Sequence, residues 1–202
     1  MIIQMKKLAA VLAASVLFVT ANANATTFDF SGNIANHNDV IQIGFSLASD
    51  ATGVAVWTDS YLSGVNFDPI TAVWMQSGSG YNLVGQNDDN PYIAPGQTIY
   101  DSGLTFSSLA AGNYLFTIAA YNNFANGYTL ADGFYFDSQT PISLSTWCQP
   151  ASHCGMGTFY NVHLSGVDSA VNNTGNVPEP ASLALIGLGL AGLGFSRKRK
   201  AA

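Results

Sequence analysis

Between residues 8 and 196 the chain has no lysine and no arginine, yet it carries eleven aspartates and one glutamate. A fold made from that stretch must be held by apolar burial and hydrogen bonds. Salt bridges are not expected in it. Without Lys or Arg to neutralise phosphates, nucleic acid is excluded as a partner.

The basic residues all sit at the two ends. Lys6 and Lys7 precede an apolar run from Leu8 to Val19, and Ala21-Asn22-Ala23-Asn24-Ala25 follows. A positive n-region, a short apolar core and small-residue cleavage sites make residues 1–25 a secretory signal peptide, with cleavage expected after Ala25. An uncleaved N-terminal anchor is the alternative. A spanning helix needs about 20 apolar residues, and this core is shorter.

At the other end Val177, Pro178, Glu179 and Pro180 precede an apolar stretch, and Arg197, Lys198, Arg199 and Lys200 follow it. The Gly187-Leu188-Gly189-Leu190-Ala191-Gly192 run has the G-x-G-x-x-G spacing of a dinucleotide loop. That loop needs a strand before it and an acidic residue about 20 positions beyond, and neither is present. Residues 181–196 read instead as a transmembrane helix, with the basic cluster on the cytoplasmic side. This tripartite tail, residues 177–202, resembles the PEP-CTERM sorting signal of Gram-negative bacteria. The resemblance implies recognition by an exosortase, passage through the inner membrane, removal of the tail, and delivery to the cell surface or exopolysaccharide matrix. A plain C-terminal anchor is the other reading of the same residues.

The region between the signals is one domain in size. Its apolar residues alternate in short segments: Ile41 to Leu47, Val54 to Thr58, Ile70 to Met75, Tyr81 to Val84, Tyr114 to Ala120 and Thr158 to Leu164. Gly, Asn, Asp, Ser and Pro separate them, as at Ser77-Gly78-Ser79-Gly80. Period-two alternation with turn signals predicts an all-β fold, an antiparallel, jelly-roll-like β-sandwich over residues 26–165. Residues 166–176 are small and polar and read as a flexible linker.

The order of Thr58-Asp59-Ser60-Tyr61, Phe67-Asp68-Pro69, Gln86-Asn87-Asp88-Asp89-Asn90, Leu109 to Tyr114 and Tyr121 to Ala125 resembles a β-sandwich module frequent in PEP-CTERM proteins. That module is distantly similar to bacterial pre-peptidase C-terminal domains, the non-catalytic appendages of secreted proteases. No protease domain accompanies it in this sequence.

Cys148 and Cys154 lie in the exported part, where an oxidising compartment favours a disulfide. A metal site using them with His153 lacks a second Cys/His pair. The chain has no G-x-S-x-G elbow and no H-E-x-x-H helix, and its only glutamate is in the sorting motif. No enzyme is expected; a hydrolase using two aspartates is the rival.

Asp59, Asp68, Asp88 and Asp89 fall at strand ends or turns, and oxygen-rich loops suit Ca²⁺. If they converge, a bound ion would relieve their mutual repulsion. Otherwise they are turn-forming, solubilising residues. Trp57, Tyr61, Trp74, Tyr92, Tyr121 and Phe124 are candidates for a sugar-stacking platform, against the alternative that they fill the core.

Overall fold

The computed structural model describes residues 26–149 and 153–174. The signal peptide, the sorting motif and the 181–196 helix lie outside the described residues. No helix among the described residues is long and apolar enough to cross a membrane.

Nine strands form two antiparallel sheets: β1 (Thr27–Asn33), β2 (Val40–Leu47), β3 (Val54–Thr58), β4 (Pro69–Ser77), β5 (Gly80–Asn87), β6 (Gly103–Phe106), β7 (Gly112–Ala120), β8 (Phe159–Ser165) and β9 (Ser169–Asn172). One sheet has the order β1-β8-β3-β6, the other β5-β4-β7-β2-β9. Consecutive strands cross repeatedly between the sheets, and only β4 and β5 form a hairpin within one. This is the double Greek key of a jelly roll, with β9 added beside β2.

The alternation along β2 explains its place. Ile41, Ile43, Phe45 and Leu47 are buried, and the residues between them are partly exposed. Val54 and Val56 of β3 face them across the interior, as do Tyr160, Val162 and Leu164 of β8, and these residues belong to one core. Burying each such side chain contributes about 1.5–3 kcal/mol. β4 and β7 instead show unbroken buried runs. Their outer face is covered by a second cluster, in which Ala72, Trp74 and Leu115 pack against Ala125, Leu130 and Phe134 of the long β7–β8 connection. The indole N–H of Trp74 donates to Thr117 Oγ1 at 2.9 Å, so its polar edge is satisfied in the dry layer.

Two expectations need correction. Residues 166–176 are not simply a linker: Ser169–Asn172 pairs antiparallel with Ser46–Ile43. Asp168 Oδ2 accepts from Ala48 N at 2.7 Å, and Asn173 N–H donates to Gln42 O at 2.8 Å. Small polar residues suit this edge because one side of β9 faces solvent. The sandwich therefore runs to residue 172, past the expected boundary at 165.

The second correction concerns charge pairs. His163 lies between two carboxylates, with Nδ1 at 2.6 Å from Asp29 Oδ1 and Nε2 at 3.1 Å from Asp59 Oδ2. When protonated, it forms ion pairs that a tally of Lys and Arg overlooks.

Candidate functional site

The β4–β5 hairpin turns at Gly78 and Ser79, pairing Ser77 with Gly80. A register shift between Val73 and Trp74 leaves Thr71 opposite Asn87. The open end of the hairpin thus sets Asp68, just before β4, beside Asp88 and Asp89, just after β5. One ligand atom from each of the three lies within 4.8 Å of the others. Asp59 does not join them. It follows β3 in the other sheet, where Asn161 Nδ2 donates to its Oδ1 at 2.8 Å and His163 holds its Oδ2.

Asp68 is only 6% exposed. Its Oδ2 accepts from Gln149 Nε2 at 2.9 Å, but its Oδ1 is buried and makes no hydrogen bond. Asp88 Oδ1 is likewise buried and unpartnered. An orphaned buried acceptor costs about 1–3 kcal/mol. Burial pushes the Asp68 carboxyl up to about 7; the Gln149 hydrogen bond opposes that shift, and the charges of Asp88, Asp89 and Asp101 add to it. Burial, then the Asp89 charge, raises Asp88 to about 6. Burial raises Asp89 as well. Tyr61 is raised by burial and then by the Asp68 charge.

A neighbouring carboxylate shows what complete satisfaction looks like in this fold. Asp101 is fully buried. Its Oδ1 accepts from Thr58 Oγ1 and Tyr61 N, both at 3.0 Å. Its Oδ2 accepts from Thr98 N at 2.7 Å and Thr98 Oγ1 at 3.0 Å. Four donors satisfy both oxygens of that buried carboxyl group. Asp68 and Asp88 have no such set of donors, and their free oxygens sit among like charges. All the candidate ligands are hard oxygens, the donor type that suits Ca²⁺ and Mg²⁺ rather than Zn²⁺.

A pH dependence follows. Because the folded-state carboxyls titrate above the usual aspartate value of 3.8, the fold binds their protons more tightly than the unfolded chain does. Their contribution to stability is fully present below about pH 4 and is lost as pH rises through 6 to 7. In chelator, the melting temperature is therefore expected to fall between pH 5 and pH 8. A cation competes with those protons, so its stabilisation should be larger at pH 8 than at pH 5. Differential scanning fluorimetry at the two pH values checks both signs.

Cys148 and Cys154 are disulfide-bonded. The aromatic residues considered for a platform are dispersed. Trp74 and Tyr61 are buried, and Trp57 stacks on His163 at 5.1 Å on the four-stranded sheet. Tyr92 is 91% exposed, while Tyr121 packs edge-on against Phe124. His37 is enclosed: its Nδ1 accepts from Ile142 N at 3.2 Å and its Nε2 lies 3.0 Å from Gln139 Oε1.

Fold and site together define an all-β sandwich with a cluster of three aspartates at the open end of the β4–β5 hairpin. Residues 176–200 match the model of the PEP-CTERM protein-sorting motif. That motif implies an exported protein of Gram-negative bacteria, processed by an exosortase. No curated protein matches the chain. Among solved structures, the crystal structure of Yersinia pseudotuberculosis-derived mitogen is similar over 72% of this chain and 89% of that chain. Its identity is 10% and its TM-score 0.39, a likeness too distant to carry an argument.

Proposed function

We propose that the mature chain is a non-catalytic cell-surface or extracellular-matrix protein whose sandwich is stabilised by a Ca²⁺ ion at Asp68, Asp88 and Asp89. One observation carries the cation reading: two buried carboxylate oxygens, Asp68 Oδ1 and Asp88 Oδ1, lack any partner in a fold that elsewhere gives a buried carboxylate four donors. Two of the three histidines, His37 and His163, are in surroundings consistent with the non-catalytic reading. The ring nitrogens of His163 face Asp29 and Asp59, and those of His37 face Ile142 and Gln139, which leaves neither ring poised on a nucleophile. Isothermal titration of the mature protein with CaCl₂ tests the cation reading. One-site binding is expected, and heats equal to buffer dilution would reject it.

Transit through the inner membrane and removal of the tail are the second half of the proposal. Intact-mass measurement on protein from its native host is expected to show loss of residues 1–25 and of the segment beyond the Pro178-Glu179-Pro180 motif. Recovery of the full C-terminus in the mature form would contradict it.

A second reading, association with exopolysaccharide, is favoured by a groove of about 330 Å³ across the five-stranded sheet, lined by Ser46, Gln76, Tyr81, Asn113, Tyr114 and Ser169. Amide and hydroxyl groups beside the Tyr81 ring are chemistry that can hold a sugar, whereas Tyr114 is buried in the core. Binding on a glycan array that is lost in Tyr81→Ala would support this reading, and an array without signal would remove it.

A further inference from the structure

Gln149 lies inside the Cys148–Cys154 loop, yet its side chain ends at the acidic cluster 81 positions away in sequence. The residue is 6% exposed. Its Nε2 donates to Asp68 Oδ2 at 2.9 Å, whereas its Oε1 is buried and makes no hydrogen bond. Both atoms are bonded to one carbon, so a nitrogen held against Asp68 keeps the orphaned oxygen near Asp68, the buried member of the cluster. A neutral carboxamide oxygen is a ligand type Ca²⁺ accepts, and it adds no charge to three carboxylates already close together.

The chain holds this residue from two sides. Cys148 and Cys154 face each other across an antiparallel bridge, flanked by Gln149 N–H to His153 O at 2.7 Å and Gly155 N–H to Trp147 O at 3.1 Å. Trp147 and Met156 anchor the two legs of this hairpin in the main core. Beyond Met156, Gly157 exchanges backbone hydrogen bonds with Val65 and Phe67, directly ahead of Asp68. The disulfide hairpin and the approach to Asp68 are thus one connected ladder.

We infer that Gln149 Oε1 is a fourth oxygen ligand of the cation site and that the Cys148–Cys154 hairpin is the element that positions it. The inference rests on the calcium reading of Asp68, Asp88 and Asp89. Opening the bridge gives Gln149 freedom that must be lost again on binding, so affinity falls although no carboxylate is touched.

The test is calcium titration and melting of the oxidised full-length mature protein, with near-ultraviolet circular dichroism to monitor the fold. Gln149→Leu is expected to weaken Ca²⁺ binding by about tenfold or more. Gln149→Glu removes the donor to Asp68 and adds a carboxylate. It should lower the metal-free melting temperature and enlarge the rise on adding Ca²⁺. A Gln149 that only braced the fold would give both variants the same loss with and without the ion. Cys148→Ser with Cys154→Ser should weaken binding to about the level of Gln149→Leu, and adding Gln149→Leu to that pair should cost little more, the non-additivity of groups acting through one another. Wild-type affinity in Gln149→Leu overturns the ligand assignment. Wild-type affinity in the cysteine pair overturns the positioning role, and if that pair does not fold, the opposed signs of Gln149→Leu and Gln149→Glu decide the ligand role alone. No binding by the wild-type protein overturns the calcium reading itself, a result distinct from binding that ignores Gln149.

Discussion

Asp101→Ala is expected to lower the unfolding free energy by about 3 kcal/mol, the largest single loss at the loop end of the sandwich. A hydrogen bond to a charged group contributes about 1.5–3 kcal/mol, and Asp101 accepts four, from Thr58, Tyr61 and both donors of Thr98. Removing a buried charge recovers part of its desolvation cost, which keeps the net effect below the sum. Two of the stranded donors are backbone N–H groups, which no rotamer change can redirect. Asp101→Asn keeps one acceptor oxygen but turns an amide N–H₂ toward a pair of donors, so an intermediate loss is expected. Urea denaturation with an unchanged m-value checks the ordering. A loss under 1 kcal/mol in the alanine variant would show that water replaces the carboxylate.

Removing Ca²⁺ should have the next largest effect. A ligand bound only to the folded state at 100 times its dissociation constant stabilises it by about 2.7 kcal/mol. For a domain of this size that corresponds to roughly 5–10 °C in melting temperature. Replacing Asp88 and Asp89 with Asn should abolish most of the calcium-dependent shift. It should also raise the melting temperature in chelator, because the repulsion around Asp68 is relieved. A destabilised chelator-treated variant, or equal melting curves with and without millimolar Ca²⁺ in the wild type, would return these aspartates to turn formation and solubility.

Much of the architecture was legible because β2, β3 and β8 each carry a two-residue alternation, as Ile41-Ile43-Phe45-Leu47 does. β1 carries a shorter version of the same signal, with Phe28 and Phe30 alternating with Asp29 and Ser31. β9 offered almost none: Ser169-Ala170-Val171-Asn172 contributes little apolar surface, and its pairing is supplied by the edge of β2. The site was legible where it follows from one hairpin. Counting outward from Gly78-Ser79 brings Asp68 opposite the Asp88-Asp89 pair. Asp59 was misassigned because nothing local tells which sheet β3 joins. Asp101 and Gln149 left little trace in sequence: Thr98 is a local partner of Asp101, but its other donors, Thr58 and Tyr61, lie 43 and 40 positions away, and Gln149 reaches Asp68 across 81 positions. His163 lies between Val162 and Leu164 on the other face of β8, and β1 and β3 bring carboxylates to both of its nitrogens.

The pairing of β9 with β2 also sets a length. Thr174, whose hydroxyl receives the Gln42 N–H at 2.6 Å, is four residues from Pro178. Full extension of those residues reaches only about 14 Å. If the tail is processed as proposed, the Pro178-Glu179-Pro180 motif would be presented close beside an acidic sandwich without lysine or arginine, leaving a processing enzyme a narrow gap. Peeling Ser169–Asn172 from Ile43–Ser46 would release several more residues of tether, at the cost of one short edge ladder. The last strand would then act as a reel as well as a wall, its zipping setting how far the sandwich stands off from the Pro178-Glu179-Pro180 motif.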